Sequence, residues 1–538
     1  MKKAIIFLAL ISIFALSACT STEAADGTNT AGEISQNETA KAVVSSEMFT
    51  DRDLETGYDE ETSGFINLLG DTAESDSAAV SIEGSTVTIK EEGTYILAGT
   101  LTDGMIVVDA EDTDKVQLVL NQAEITNATS AAIYVLQGDK VFITAAAGTE
   151  NTLANGGEYV AIDDNNIDAV IFSKADLTLN GMGSLTINAQ VGHGVVSKDD
   201  LIFASGTYNI TAAEHGISGK DSVRIAGGSY TISSGKDGIH AENSDDSSLG
   251  FLYIAGGDFA ITAEGDGMSA GAYLQIDDGE ISIFTGEGSD SVTMTTEQRP
   301  FERGENPMTE NTLQQENSVS QKGLKADGTI TINSGNIVTD TADDSLHAGG
   351  AITIANGEFT LKSGDDALHS DADVNISDGV FTISYCYEGI EGLTVTIDNG
   401  TFAITSVDDG INAADGTDSA SPGGGRKQFA AASQCFITIN GGEFTIVSGG
   451  DCLDSNGDLT INGGILDLTC NSNGNTALDC DGIYTNNGGE VTTNDGSENN
   501  PGQMGGGKPG GGMPNNQEQM KDGRGGEMMN KDFGKEAF

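Results

Sequence analysis

The sequence predicts an all-β protein, a right-handed parallel β-helix with about 22 residues per coil and three short strands in each coil. Three observations predict this fold. A five-residue motif with glycine first and apolar residues third and fifth recurs along the chain, and each period divides into three short extended segments. No amphipathic helix of about ten or more residues separates these segments, so a βαβ architecture is excluded.

The motif glycines define the period. They are Gly206, Gly228, Gly257, Gly279, Gly335, Gly357, Gly379, Gly400, Gly442 and Gly464. Most neighbours in this series are 21 or 22 residues apart, and the longer intervals indicate insertions. Within one period, residues 352–354 alternate apolar and polar, Asn356-Gly357 turns the chain, residues 359–361 form the next strand, and Leu368 marks the third.

Composition divides the chain into four parts. We predict a signal peptide at 1–18, a flexible tether at 19–64, a β-helix at 65–493 with insertions at 294–321 and 413–434, and a low-complexity Gly/Met-rich tail at 494–538. The tether is rich in Ser, Thr, Ala, Asn and Glu, as flexible linkers are. The insertions interrupt the repeat, and the composition of the tail cannot build a core.

The N-terminus predicts export and a lipid anchor. Lys2 and Lys3 precede an apolar stretch, residues 4–16, which has the length of a signal-peptide core and is too short to span a bilayer. Leu16-Ser17-Ala18-Cys19 resembles a lipobox, in which Cys19 receives the lipid. The alternative is an ordinary secretory signal with an incidental cysteine. We expect a protein on the extracellular face of the cell membrane, held there by its lipid alone.

The net charge of −59 excludes some classes of partner. Nucleic acids and anionic membrane surfaces are negatively charged and would be repelled. So many carboxylates also repel one another within a compact fold, so they must be spread over a long surface or accompanied by cations. We expect a monomer.

One acidic position follows the motif persistently, nine residues after the glycine and two before an apolar residue. Together with neighbouring acids it gives the candidate calcium ligands Asp237, Asp266, Asp290, Asp343, Asp344, Asp365, Asp366, Glu388, Asp408, Asp409, Asp451 and Asp481. We expect these carboxylates to point outward in one line, about 4.8 Å apart. Two such charges repel by about 3 to 4 kcal/mol at an effective dielectric constant of 20. Ca²⁺ accepts several oxygen ligands in flexible geometry and suits the line. The alternative is a solvated acidic edge.

Histidines and cysteines offer weaker signals. The five histidines, His193, His215, His240, His347 and His369, fall near the same corner, where we expect polar stacking, with a transition-metal pair at His347 and His369 as the alternative. Besides Cys19 there are Cys386, Cys435, Cys452, Cys470 and Cys480, without zinc-binding spacing. We expect small packed residues there, and a disulfide such as Cys452 with Cys480 stays open.

Two stretches carry a family resemblance. They are residues 93–104, GTYILAGTLTDG, and residues 114–121, DKVQLVLN, and the Asp-Asp-Ala-Leu-His turn and the Gly/Met-rich tail agree with them. The chain resembles a clostridial family of carbohydrate-binding β-helix proteins over roughly residues 65–493. The resemblance implies a calcium-containing, polysaccharide-lyase-like fold on the cell surface that binds cellulose or acidic, pectin-like polysaccharide without cleaving it.

The expected sugar contacts are sparse. The chain has no tryptophan and 11 tyrosines, and Tyr385 and Tyr387, which flank a predicted turn, are the candidates for stacking on sugar rings. An acidic polysaccharide would need bridging cations to approach so negative a protein, so the calcium and carbohydrate hypotheses support each other.

Two alternative functions remain. A calcium-dependent polysaccharide lyase needs a cation and a basic residue beside the uronate, and Lys322, Lys325, Lys220 and Arg224 are the candidates. A structural surface adhesin would use ions only to stiffen the rod. We expect a polysaccharide-binding protein that is not an enzyme.

Overall fold

The computed structural model describes residues 47–294, 319–414, 434–472 and 474–501. The predicted signal peptide, Cys19, the tether up to residue 46, and residues 295–318 and 415–433 of the two predicted insertions lie outside these ranges, as does the tail after residue 501. Within them, no helix has the length and apolar character needed to cross a membrane.

The regular secondary structure of the described chain is almost entirely β-strand. A four-residue α-helix, α1 (Asp51–Leu54), and two 3-10 turns at Ser289–Ser291 and Ser497–Asn499 are its helical elements. The strands are β1 Gly64–Gly70, β2 Ala73–Ser75, β3 Val80–Glu83, β4 Thr86–Ile89, β5 Gly93–Leu101, β6 Met105–Asp109, β7 Lys115–Asn127, β8 Ile133–Gln137, β9 Lys140–Ala145, β10 Glu150–Asn155, β11 Ala169–Ser173, β12 Asp176–Gly181, β13 Ser184–Ala189, β14 His193–Ser197, β15 Asp200–Phe203, β16 Thr207–Ala212, β17 Ile217–Gly219, β18 Ser222–Ile225, β19 Ser229–Ser234, β20 Ile239–Ala241, β21 Phe251–Ile254, β22 Asp258–Ala263, β23 Met268–Ala270, β24 Leu274–Ile276, β25 Glu280–Thr285, β26 Leu324–Ala326, β27 Ile330–Ile332, β28 Asn336–Thr341, β29 Leu346–Ala348, β30 Ile352–Ile354, β31 Glu358–Ser363, β32 Leu368–Ile376, β33 Val380–Tyr385, β34 Ile390–Ile397, β35 Thr401–Ser406, β36 Ile411–Ala413, β37 Phe436–Ile439, β38 Glu443–Ser448, β39 Leu453–Ser455, β40 Asp458–Ile461, β41 Ile465–Cys470, β42 Leu478–Cys480, β43 Tyr484–Asn486 and β44 Glu490–Thr493.

Strand pairing is mostly parallel and confirms a solenoid-like, all-β fold. Three series of paired strands run through the molecule, for example β17–β20–β23–β26–β29 in the first series, β18–β21–β24–β27–β30 in the second and β19–β22–β25–β28–β31 in the third. The long strands β32 and β34 belong to the first series at their start and to the second at their end. Two antiparallel pairs, β1–β2 and β3–β4, stand at the N-terminal end.

The core lies between the three series, because alternate side chains of each strand point inward. In the third series the inward rings of Phe359, Phe381, Phe402 and Phe444 stack with centroids 4.4, 4.7 and 4.6 Å apart. The motif glycine makes room for these rings. Gly357 has φ +143°, and a Cβ atom there would lie 2.9 Å from the Phe359 ring, so both the backbone conformation and the packing require glycine.

Residues 47–58, which we name the strap, differ from the sequence prediction of a flexible tether up to residue 64. The strap packs against the outer face of the second series. Asp53 is fully buried and forms an ion pair with Lys140 at 2.7 Å, and the guanidinium of Arg52 lies 4.4 Å from the centre of the Phe142 ring. Buried polar and cation–π contacts of this kind order a segment whose composition alone suggests a linker.

The first residues of the predicted tail also have structure. Asp495 Oδ2 accepts the backbone N–H of Ala477 at 2.9 Å, and Ser497 Oγ accepts that of Leu478 at 3.0 Å. These bonds satisfy donors at the last strand of the first series, which would otherwise present an open edge.

Candidate functional site

The predicted acidic positions meet in one row beside the first series. This turn row consists of the residues two places before the first paired apolar residue of each strand. Its members are His193, His215, Asp237, Asp266, Lys322, Asp344, Asp366, Glu388, Asp409, Asp451 and Thr476. Seven of them are acids predicted from the sequence, and the others are residues that the acidic pattern did not reveal.

Side chains of the turn row bond to the backbone of the next member. Asp237 Oδ1 accepts the N–H of Asp266 at 2.8 Å, Asp344 Oδ1 accepts that of Asp366 at 2.9 Å, and Asp409 Oδ1 accepts that of Asp451 at 2.6 Å. His193 and His215 do the same with Nδ1, at 3.1 and 3.2 Å. The position therefore favours an acceptor, which explains why aspartate recurs there. Lys322 is an exception, and the N–H of the next member, Asp344, bonds to Asp343 Oδ1 instead.

This bonding corrects the expected orientation of the acids. We predicted that the carboxylates point outward into solvent, but Asp266, Asp344, Asp366, Asp409 and Asp451 are all buried. Each carboxylate extends along the row and accepts the backbone N–H of the next member. Burial strengthens their mutual repulsion, because the local dielectric constant falls.

Five of the predicted ligands lie beside the row or away from it. Asp343, Asp365 and Asp408 directly precede row members, and Asp408 accepts a hydrogen bond from the Tyr387 hydroxyl at 2.8 Å. Asp290 is exposed in the 3-10 turn after β25, and Asp481 is exposed after β42, where Thr476 holds the row position instead. The structure does not bring Asp290 or Asp481 to the row.

A second row of side chains lies three residues further along each strand. This strand row contains Ser218, His240, Ser269, Lys325, His347, His369, Glu391, Asn412, Asp454 and Asp479, joined by parallel pairing. It pairs with the turn row, since His347 Nδ1 lies 2.8 Å from Asp344 Oδ2 and Asn412 Nδ2 donates to Glu388 Oε2 at 2.9 Å. Glu391, Asn412, Asp454 and Asp479 were not among the predicted ligands.

In the N-terminal half of the two rows, the protein supplies its own cations. Burial opposes ionisation of Asp237, but hydrogen bonds with His215 and His240 outweigh it and lower the pKa of Asp237. The Lys322 ammonium lies 2.6 Å from Asp344 and 2.9 Å from Asp343. Burial disfavours the imidazolium of His369, yet hydrogen bonds with Asp366 and Glu391 raise the pKa of His369 to about 12.

In the C-terminal half, the residues that the structure describes include no lysine, arginine or histidine to provide such a cation. Between residues 370 and 501 the sequence contains 20 acidic residues, and its basic residues are Arg426 and Lys427. Burial and the nearby charges of Glu391, Asp366 and Asp409 raise the pKa of Glu388, and burial with the charges of Asp454, Asp451 and Asp408 raises that of Asp409.

One buried atom in this half has no protein partner. Asn412 is only 8% exposed, and its side-chain oxygen accepts no hydrogen bond from any residue that the structure describes. A buried carbonyl oxygen without a donor costs about 1 to 3 kcal/mol. The neighbouring row members are Asp409 and Asp454, and ligand oxygens of Asp451, Asp454 and Asp479 lie within 4.8 Å of one another. All of these groups offer oxygen atoms as metal ligands, which are the ligands that Ca²⁺ prefers.

The histidines suit a transition metal less well. Because Nδ1 of His193 accepts the backbone N–H of His215, the neutral His193 ring carries its proton on Nε2, the atom that a metal would need. Burial and the neighbouring His215 lower the pKa of His193 to about 4. His347 and His369 stack with ring centres 4.9 Å apart, and each bonds to a row carboxylate.

The cysteines and tyrosines are placed as follows. The five described cysteines are free thiols, so Cys452 and Cys480 form no disulfide. Tyr387 donates to Asp408, and the Tyr385 hydroxyl lies 3.4 Å from the Val292 carbonyl oxygen. Both tyrosines are partly buried, which leaves little open ring face for a sugar.

The basic residues considered for a lyase are all paired. Asp344 and Asp343 outweigh burial and raise the pKa of Lys322, so it stays protonated at neutral pH. Lys325 lies 3.7 Å from Asp266, Lys220 2.7 Å from Asp245, and Arg224 pairs with Asp200. A protonated, paired lysine cannot accept a proton from a substrate.

Family comparison gives the class of ligand. A family model described as carbohydrate-binding domain-containing protein matches residues 83–367 and 366–504, well over half of the chain. The chain belongs to this family. The match agrees with the resemblance carried by residues 93–104 and 114–121.

Individual relatives match shorter stretches. A carbohydrate-binding domain-containing protein of Acetivibrio thermocellus is 36% identical over 135 residues, which are 25% of this chain and 47% of the relative. The match thus spans about half of that relative's length. A solved structure, the gadolinium derivative of a polysaccharide lyase-like protein from C. thermocellum, is 33% identical, with a TM-score of 0.41, and the match covers 42% of this chain and 92% of the other.

Proposed function

We propose that this protein is a cell-surface lipoprotein that binds polysaccharide, cellulose or an acidic pectin-like glycan, without cleaving it. The family match over most of the β-strand region is the observation that carries this proposal. The proposed molecule is a monomer built as a right-handed β-helix with about 22 residues and three strands per coil, a period consistent with pairings such as Phe359 with Phe381.

Calcium is the proposed cofactor, and its proposed place is the C-terminal half of the two rows. Asp409, Asn412, Asp451, Asp454 and Asp479 would hold the ion, because they combine carboxylates, three of which have ligand oxygens within 4.8 Å of one another, with a buried carbonyl oxygen that lacks a donor. Bound Ca²⁺ would supply positive charge, both within the fold and toward an acidic glycan. The alternative remains a solvated acidic edge without an ion.

The absence of catalysis rests on the state of the basic residues. Lys322 is the basic residue nearest to the buried acids, and its two ion pairs hold it charged. None of the lysine and arginine candidates for the base of a lyase is therefore unpaired. An adhesin that uses ions only for stiffness remains the other candidate.

Retention and turnover can be measured on the same samples. We expect the full chain to be retained on insoluble cellulose or on immobilised polygalacturonate in calcium, with no rise in absorbance from unsaturated products. Product formation that disappears in Lys322→Met would establish a lyase instead. Failure to be retained on either polysaccharide would leave the adhesin as the better description.

The lipid anchor has a separate test. Cys19→Ala should leave the protein unprocessed or release it from the membrane fraction, because no thiol would remain to carry lipid. Cys480→Ala, which changes a described thiol far from the N-terminus, serves as the control and should stay in the membrane fraction. Incorporation of labelled palmitate into Cys19→Ala would contradict the assignment.

A further inference from the structure

The outer face of the second series has two distinct parts. One row of outward side chains runs along it by parallel pairing, through Gln117, Phe142, Thr178, Ile202, Arg224, Tyr253, Gln275, Thr331, Thr353, Asn375, Thr396, Thr438, Thr460 and Thr485. Up to Tyr253 its side chains are varied and most of them contact the strap. From Thr331 onward it contains six threonines and one asparagine.

The strap shows what the first part of this face binds. Gln117 accepts a hydrogen bond from Arg52 at 2.9 Å, Thr178 donates to Asp53 at 2.7 Å, and Arg224 donates to the carbonyl oxygen of Met48 at 3.3 Å. Asn180, beside Thr178, donates to the carbonyl oxygens of Asp53 and Glu55. The face therefore binds an elongated chain laid across many strands, through side chains that donate hydrogen bonds to oxygens of that chain or, at Gln117, accept one from it.

The second part repeats this chemistry without the strap. Beside the threonines lies a ladder of hydrogen-bonded side chains on successive strands. In it, Asn440 donates to Asp398 at 2.7 Å, Asn462 to Asn440 at 2.7 Å and Asn487 to Asn462 at 2.8 Å. We name the seven residues from Thr331 to Thr485 together with Asn440, Asn462 and Asn487 the Thr/Asn face. In the part of the chain that the structure describes, the hydroxyls of its six threonines have no side-chain or carbonyl partner.

The geometry of the Thr/Asn face is regular and flat. Neighbouring strands of a sheet lie about 4.8 Å apart, so donors and acceptors recur at that interval. The side chains of the face are short, and β-branched threonine holds its hydroxyl in a restricted set of orientations. Such a face matches a polymer whose hydroxyl groups also recur along an extended chain.

We propose that the Thr/Asn face binds a neutral, hydroxyl-rich polysaccharide chain that continues the path of the strap along the second series. The charge of the face favours a neutral polysaccharide over an acidic one. The face contains no cation, and Asp398 lies beside it, so an acidic glycan would be repelled. Residues 20–46 are also a poor occupant, since they contain four acids and one lysine. The inference rests on the proposed polysaccharide-binding function and assigns its surface for neutral glycans.

Isosteric substitutions in the full chain test the proposal. Thr353→Val, Thr396→Val and Thr438→Val together remove three hydroxyls and keep the side-chain shape. A control combines Thr360→Val, Thr382→Val and Thr445→Val, three exposed threonines on the third series. We expect binding to microcrystalline cellulose to weaken about tenfold or more in the first variant and to stay unchanged in the control, with equal melting temperatures.

Retention on polygalacturonate in calcium provides the second readout, and it should be the same for wild type and both variants. If wild type binds cellulose and the first variant binds equally well, the Thr/Asn face is the wrong surface while the proposed function stands. Equal weakening in both variants would also overturn the assignment. If wild type binds neither polysaccharide, the proposed function itself fails.

Discussion

Removal of calcium should destabilise the C-terminal strands of the first series much more than the N-terminal ones. Ions that bind only the folded protein stabilise it by about 2.7 kcal/mol per site at a hundredfold excess over Kd. In a solenoid each strand depends chiefly on its neighbours, so the loss should stay local. Amide hydrogen exchange with EDTA should therefore rise in β36, β39 and β42, while β17 and β20, next to His215 and His240, should change little.

Two variants separate bound calcium from simple charge repulsion. Asp454→Asn and Asp479→Asn together should reduce the calcium-dependent rise in melting temperature, because they remove proposed ligands. Asp237→Asn is the matched control: it removes a carboxylate already compensated by two histidines, so it should lower the melting temperature equally with calcium and with EDTA. Identical melting curves of wild type in calcium and in EDTA at neutral pH would rule out the site.

The pH dependence of the same effect follows from the raised pKa values of Glu388 and Asp409. A carboxyl whose pKa is higher in the folded state favours folding below its unfolded pKa, and this contribution is lost as pH rises through the folded pKa. In EDTA, stability should therefore fall between about pH 4 and neutrality. Calcium favours the ionised carboxylates, so its stabilising effect should be largest at neutral pH and disappear near pH 4.

Much of the fold follows from local chemistry that a sequence displays. Gly357 must be glycine because its φ is positive and because a Cβ atom there would clash with the Phe359 ring. Phe359 and Leu361 are two residues apart in a strand, so both face the core. The residues of a single period therefore determine its local structure. Because the motif repeats, equivalent positions of successive periods predict the parallel register, as in the pairing of His347 with His369. These features depend on residues close together in the chain.

The site was predicted less completely, for a physical reason. An acidic pattern identifies members such as Asp344 and Asp366, but the position also suits other hydrogen-bond acceptors, and His193 and His215 occupy it. Asn412 was missed because an asparagine on a strand is unremarkable until its oxygen is found buried. A signal existed: Glu391, Asn412, Asp454 and Asp479 all stand one residue after the inward apolar residue of a first-series strand.

The strap differs most from the sequence prediction, which gave a flexible tether there, because the residues that bind the strap lie far away in sequence. Helix α1 has only four residues, too few for a periodic pattern, and Asp53 meets Lys140 and Thr178 across about a hundred residues. Burial raises the pKa of Asp53, but hydrogen bonds from Lys140, Thr50 and Thr178 outweigh it, and the net effect is a lowered pKa. The Asp53 contacts thus contribute stability above the ordinary pKa of aspartate, and this stability is lost on acidification.

Asp53→Ala should therefore release the strap at neutral pH. Breaking a buried ion pair by removing one partner costs about 3 to 5 kcal/mol, because the remaining charge, here Lys140, stays buried without compensation. Amide exchange over residues 47–63 should become fast, and proteolysis should cut there first, while the first-series strands keep their protection. Asp51→Ala, an exposed position in the same helix, is the control and should change exchange little. Equal behaviour of the two variants would show that the aromatic contacts of Arg52 and Phe49 hold the strap instead.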